Sequence, residues 1–202
     1  MSGAVVWLLV GLGLWVVVVR RRSVAVGLVT LQALVLAVEA VHTGAGSKVT
    51  AATVLAIRAV ALGTLLLLVV SRTREPRPVR AGIAPIARGG LAVMFALALT
   101  WLVPTIGLES GNAERGVLAL VAFGATTAAT RRATLFQVLG IVLAENGLAL
   151  AALELPRGSS TAIELGVAFD LTFVALVAAV FHERIFAEFG AGDTAALRSL
   201  RG

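Results

Sequence analysis

MSGAVVWLLVGLGLWVVVVRRRSVAVGLVTLQALVLAVEAVH occupies residues 1–42. Residues 1–19 carry no charged side chain, and Arg20-Arg21-Arg22 ends that run. A second apolar run, residues 23–42, is interrupted only by Glu39. Neither run alternates apolar and polar residues as a half-buried strand would. Each approaches the length at which an apolar helix crosses a bilayer, about 20 residues with about 17 as the lower bound. An apolar run, an arginine stop and a second apolar run together predict a pair of membrane-crossing helices.

Five further runs follow the same rule. Residues 49–71 are broken only by Arg58, and residues 89–108 carry no charge. Residues 116–130 form the weakest candidate, short and rich in Ala, Thr and Gly. Residues 133–153 are interrupted by Glu145, and residues 165–182 by Asp170. The expectation is an all-α, polytopic membrane bundle of about seven transmembrane helices. Composition agrees: 59% of the 202 residues are hydrophobic and 14% are charged, against about 25% charged in soluble domains. Mean hydropathy is +0.99. A soluble domain of this length has too few polar residues to cover so much apolar surface.

The basic residues set an orientation. Arg20–Arg22 lie between the first two runs, five arginines from Arg72 to Arg88 lie between the third and fourth, and Arg131 and Arg132 lie between the fifth and sixth. Arg184, Arg198 and Arg201 follow the seventh. With seven spans all of these fall on one side, leaving only Lys48, Arg115 and Arg157 on the other and Arg58 within a span. The positive-inside rule puts the arginine-rich side in the cytoplasm. The N-terminus is then outside and the C-terminus cytoplasmic. No basic residue precedes the first run, which is unlike a cleaved signal peptide. The same asymmetry accounts for a pI near 11.5 without nucleic acid, for which no aromatic-interleaved basic domain is present. Cysteine is absent and histidine occurs twice. Thiolate nucleophiles, disulfides and Cys-bound clusters are thereby excluded, and a self-contained metal site is disfavoured. Trp7, Trp15 and Trp101 read as interface or lipid-facing residues, and Gly11-Leu12-Gly13 as helix packing rather than a phosphate loop.

The chain divides into a three-helix membrane unit (1–72), a cytoplasmic linker with a connecting helix (73–112), a second three-helix unit (113–190) and a short cytoplasmic tail (191–202). A shift of 112 residues puts Arg20 on Arg132, Arg58 on Asp170 and Arg72 on Arg184. This is either a parallel duplication or the ordinary likeness of Ala/Leu/Val-rich helices.

The charges inside the spans carry the functional reading. Glu145 lies about 20 Å from the inner boundary, and Asp170 and Arg58 about 15 Å from the outer one, at about 1.5 Å per residue. Glu39 lies nearer the outer surface. A central charge costs roughly 2.5–3.5 kcal/mol on insertion scales, so each must face protein, water or a partner charge. Arg58 can pair with Asp170 or with Glu145, a contact that only fixes packing in one reading and tunes a proton-carrying carboxylate in the other. Asn146 stands beside Glu145 as a hydrogen-bond donor. His182, at the inner end of the seventh run, is either a proton relay or a polar anchor.

The stretches QVLGIVLAENGLALAALELP (137–156) and ELGVAFDLTFVALVAAVFHERIFAEFGAGDTAALRSLRG (164–202) resemble the hydrogenase-4 component E family. Members are membrane subunits of formate hydrogenlyase-like, group 4 nickel–iron hydrogenase complexes. The same stretches are similar to NADH-quinone oxidoreductase subunit K and to the C subunit of multisubunit cation/proton antiporters. The resemblance covers residues 131–202 and rests on helix-borne E-N-G, on E-L-G-V-x-x-D and on F-G-x-x-D-x-x-x-L. Subunit K carries two membrane carboxylates on consecutive helices. The second corresponds to Asp170. The first falls on Val142, with Glu145 three residues along on the same helical face.

The resemblance implies a cofactor-free subunit of a complex-I-like assembly in a bacterial or archaeal cytoplasmic (inner) membrane. Its partners would be antiporter-like membrane subunits, a second small membrane subunit and a metal-bearing peripheral arm. Glu145, Asp170, Arg58, Glu39, Asn146 and His182 would line a proton or cation path. A purely structural scaffold and a free-standing transporter are the alternatives. The choice of peripheral enzyme and the identity of the ion stay open.

Overall fold

The computed structural model describes residues 1–42, 47–72, 83–108 and 110–155. Its regular elements there are six α-helices: α1 (Gly3–Val18), α2 (Arg22–His42), α3 (Ser47–Arg72), α4 (Pro85–Leu102), α5 (Gly111–Thr130) and α6 (Thr134–Glu154). Residues 165–182, with Asp170 and His182, lie outside the described residues, as do most of the linker and the tail. Four helices, α2, α3, α4 and α6, are long and apolar enough to cross a membrane, and α1 is a shorter apolar helix. The class expected from composition therefore holds as an all-helical bundle with membrane-length spans.

Local chemistry sets the ends. Ser2 caps α1, its Oγ accepting from the Val5 N–H at 3.4 Å, and α1 stops just short of the arginines. Pro85 opens α4, where a missing N–H leaves no bond unmade. Val103, next to Pro104, is extended and ends it. α4 thus starts four residues earlier than the apolar run suggested, and Arg88 belongs to the helix rather than to the linker. The fifth run is a full 20-residue helix, α5, although it is not among the four of sufficient apolarity. The polar residues of its first turn account for the difference. Glu114 Oε1 there accepts from the Ile106 N–H at 2.8 Å.

α1, α2, α6 and α5 close a four-helix core, each packed on the next; α3 lies against α2, and α4 against α1 and α5. α1 and α5 run parallel: Val6 meets Gly116, and Gly13 meets Leu120 and Phe123. α4 runs against α1, with Gly89 on Val18. Arg20–Arg22, Arg88 and Arg131 therefore gather at one end of the bundle. Met1, Asn112 and Glu154 gather at the other, where the Met1 amino group meets Glu154 Oε1 at 2.6 Å.

The tightest seam joins α5 to α6. A Cβ at Gly140 would sit 2.6 Å from Gly124 O and 2.7 Å from Ala128 N, and one at Gly124 would strike Gly140 O and Ala144 N. Gly124-xxx-Ala128 and Gly140-xxx-Ala144 are paired small-xxx-small faces that bring two backbones into contact, as helices do where lipid supplies no hydrophobic drive. Gly13 is a packing glycine as expected, while Gly11 faces open space. Trp7, Trp15 and Trp101 are all exposed, Trp101 at 90%, which is the outward placement expected of them.

Candidate functional site

Four polar side chains meet at mid-height in the bundle. Gln32 is at the centre of α2, Arg58 near the centre of α3, and Glu145 and Asn146 near the centre of α6. All four are buried; Glu145 is 2% exposed. The Arg58 guanidinium Nη2 forms an ion pair with Glu145 Oε2. Asn146 Nδ2 donates to Gln32 Oε1 at 2.8 Å, and Gln32 Nε2 donates to the Leu9 carbonyl of α1 at 2.8 Å. A line of polar contacts thus crosses α1, α2 and α6 and, one residue away, joins α6 to α3. The apolar core of the bundle has Leu36 of α2 and Leu139 and Leu143 of α6 among its members.

Two alternatives for Arg58 were open in the sequence. Among the described residues Glu145 is its partner, while Asp170 lies outside them. Asn146 serves Gln32 rather than its neighbour Glu145. Glu39, half-buried in the last turn of α2, lies about 10 Å along the helix from Gln32. Glu145 also has a structural reason to be acidic, since it neutralises Arg58.

The pair is not saturated. Among the described residues, Glu145 Oε1 and Arg58 Nε have no hydrogen-bond partner. A cavity of about 10 Å³ opens beside Arg58 between α2, α3 and α6, lined also by Val29, Leu55, Leu62 and Val142. That volume is about one water molecule. A buried carboxylate with one oxygen committed to a guanidinium and the other uncommitted can exchange between an ion-paired and a protonated form, given a water to carry the proton.

Sequence reasoning passed over Gln32 as a site residue: Asn146 was marked by its place beside Glu145, and Gln32 has no charged neighbour in its run, although an amide inside an apolar run is itself a signal. Burial of Arg88 and Arg131 was also missed, because both sit at run boundaries where an arginine reads as solvated. Arg131, outside the spans, stacks on Phe136 with its guanidinium 3.9 Å from the ring centre. Burial, then the fields of Arg88 and Arg20, push its pKa down to about 9.

No family model matches the chain, and no solved structure matches it. The uncharacterized protein Rv0085 of Mycobacterium tuberculosis is similar to it, with 33% identity over 156 residues. The aligned region spans 73% of this chain and 70% of that protein. At that identity and coverage, the chain belongs to the family of Rv0085.

Proposed function

We propose that this chain is a membrane subunit of a complex-I-like redox assembly, holding no cofactor of its own, and that Glu145 opposite Arg58 is one station of a proton or cation path. The proposal takes the chain as seven spans with the N-terminus outside and the arginine-rich end in the cytoplasm. Asp170, Glu39 and His182 are the further stations it invokes, and Asn146 with Gln32 holds α6 against α2 beside the pair. Electron transfer would occur in a peripheral, metal-bearing arm.

The observation that carries this reading is the unsaturated Arg58–Glu145 pair at mid-span, with a water-sized cavity beside Arg58. Two apolar side chains would insert more readily by roughly 2.5–3.5 kcal/mol per charge removed, so charges kept at this depth argue for use. The likeness of residues 131–202 to component E and subunit K supplies the choice of assembly. A scaffold reading has its own support: the pair neutralises itself, and the Leu9–Gln32–Asn146 contacts lock three helices together.

Affinity purification of the tagged chain in mild detergent, with mass spectrometry of what accompanies it, tests the assembly. Antiporter-like subunits and hydrophilic metal-bearing proteins are the expected companions. A stable monomer or homodimer that catalyses ion flux by itself would refute the assembly in favour of a free-standing transporter.

A further inference from the structure

α1 ends without a basic residue in its own last turn, and two distant arginines cap it instead. Arg88 Nε donates to the Val17 carbonyl at 2.7 Å. Arg131 Nη2 donates to Val17 O at 3.2 Å and also to Val19 O. Capping explains part of each side chain, since terminal helix carbonyls lack intrahelical partners. Among the described residues it leaves Arg88 Nη1, Arg131 Nε and Arg131 Nη1 buried without a hydrogen-bond partner. Arg88 is 0% and Arg131 2% exposed. Exposed Arg20 is close enough to act electrostatically on Arg131. Three guanidiniums therefore face a helix end worth roughly half a negative charge.

No carboxylate among the described residues balances them. Glu114 and Glu154 are at the opposite end, held by the Ile106 N–H and the Met1 amino group. Glu145 is occupied by Arg58, and Glu39 lies in the far turn of α2. Burying a cation without a counter-charge is unfavourable, and a buried charged donor left without a partner costs more than a neutral one. A balancing charge, where there is one, lies outside the described residues.

We infer that the arginine-rich end of the bundle binds the phosphate of an anionic lipid headgroup, with Arg20 at the mouth and Arg131 and Arg88 behind it. Guanidinium forks match phosphate oxygens. A basic cluster at the end of membrane-length helices lies at headgroup level. Both contributing helices leave apolar surface open for acyl chains: Trp15 on α1 is 59% exposed, and Ile86 and Met94 on α4 are 88% and 70% exposed. The inference rests on the membrane reading of the chain and is independent of the proton path.

The test is the thermal stability of the full, delipidated chain in detergent, with phosphatidylglycerol, phosphatidylcholine or inorganic phosphate added. At about 100 times its dissociation constant, phosphatidylglycerol should raise the midpoint by roughly 5–10 °C relative to phosphatidylcholine. Arg20→Gln, at an exposed position, should fold normally and lose most of that difference, and Arg131→Lys should lose part of it. Equal shifts with both lipids, or an undiminished shift in Arg20→Gln, would overturn the inference. An equal shift from inorganic phosphate would overturn the lipid source. Insensitivity to every addition would mean that a protein carboxylate balances the cluster, and would also overturn it.

Discussion

Arg58 and Glu145 form a buried pair at mid-span, so removing one partner should harm the fold more than removing both. Arg58→Met leaves the Glu145 carboxylate uncompensated in apolar surroundings, a loss of about 3–5 kcal/mol. Glu145→Met strands Arg58 at similar cost. Methionine is flexible enough to fill either space. In the double variant both charges are gone, and each no longer opposes insertion by roughly 2.5–3.5 kcal/mol, so stability should return close to that of the parent. Reversible unfolding in mixed micelles measures the cycle. A chain of this size shifts by about 2–4 °C per kcal/mol, which predicts midpoint losses of roughly 6–20 °C in the single variants and a few degrees in the double. Additive losses, or single losses below about 1 kcal/mol, would refute the pairing.

Three further outcomes follow from the packing. Gly140→Val should separate α5 from α6 and cost at least about 3 kcal/mol, because the atoms it meets are backbone and cannot yield; Gly11→Ala, which meets nothing, should be near neutral in the same unfolding assay. Asn146→Leu should leave buried Gln32 Oε1 without its donor and cost about 1–3 kcal/mol, again read from the unfolding midpoint. Cysteines replacing Arg21 and Asn112, exposed at opposite ends of the bundle, should label from opposite faces of sealed vesicles with an impermeant reagent, Arg21→Cys from the cytoplasmic side.

Helix existence was legible from the sequence wherever an apolar run met a charged stop. The end of α1 before Arg20 was visible in this way. Helix starts were less legible. A proline at a first turn marks α4 at Pro85, yet it sat among linker prolines and arginines that masked it. Arg58 was recognisable as a cation that needed a carboxylate, but two carboxylates qualified; the fold brings Glu145 to it, and Asp170 lies outside the described residues. The Gln32–Asn146 contact spans 114 residues, and no local pattern encodes that distance. Gly124 and Gly140 stand in recognisable small-xxx-small settings, but which pair of helices meets through them depends on the closing of the four-helix core. Arg88 and Arg131 read as solvated because an arginine at the edge of an apolar run usually is. Their burial arises from α1, whose terminal carbonyls they cap.

The central claim is that Glu145 carries protons rather than merely balancing Arg58. Glu145→Gln with Arg58→Gln removes the titratable group without stranding a charge, so assembly and fold should persist. In sealed vesicles the account predicts unchanged electron transfer to an artificial carrier at the peripheral arm and a clear loss of coupled proton pumping relative to the parent. Pumping at the parental rate by an assembled double variant would contradict it and leave the pair as a packing device.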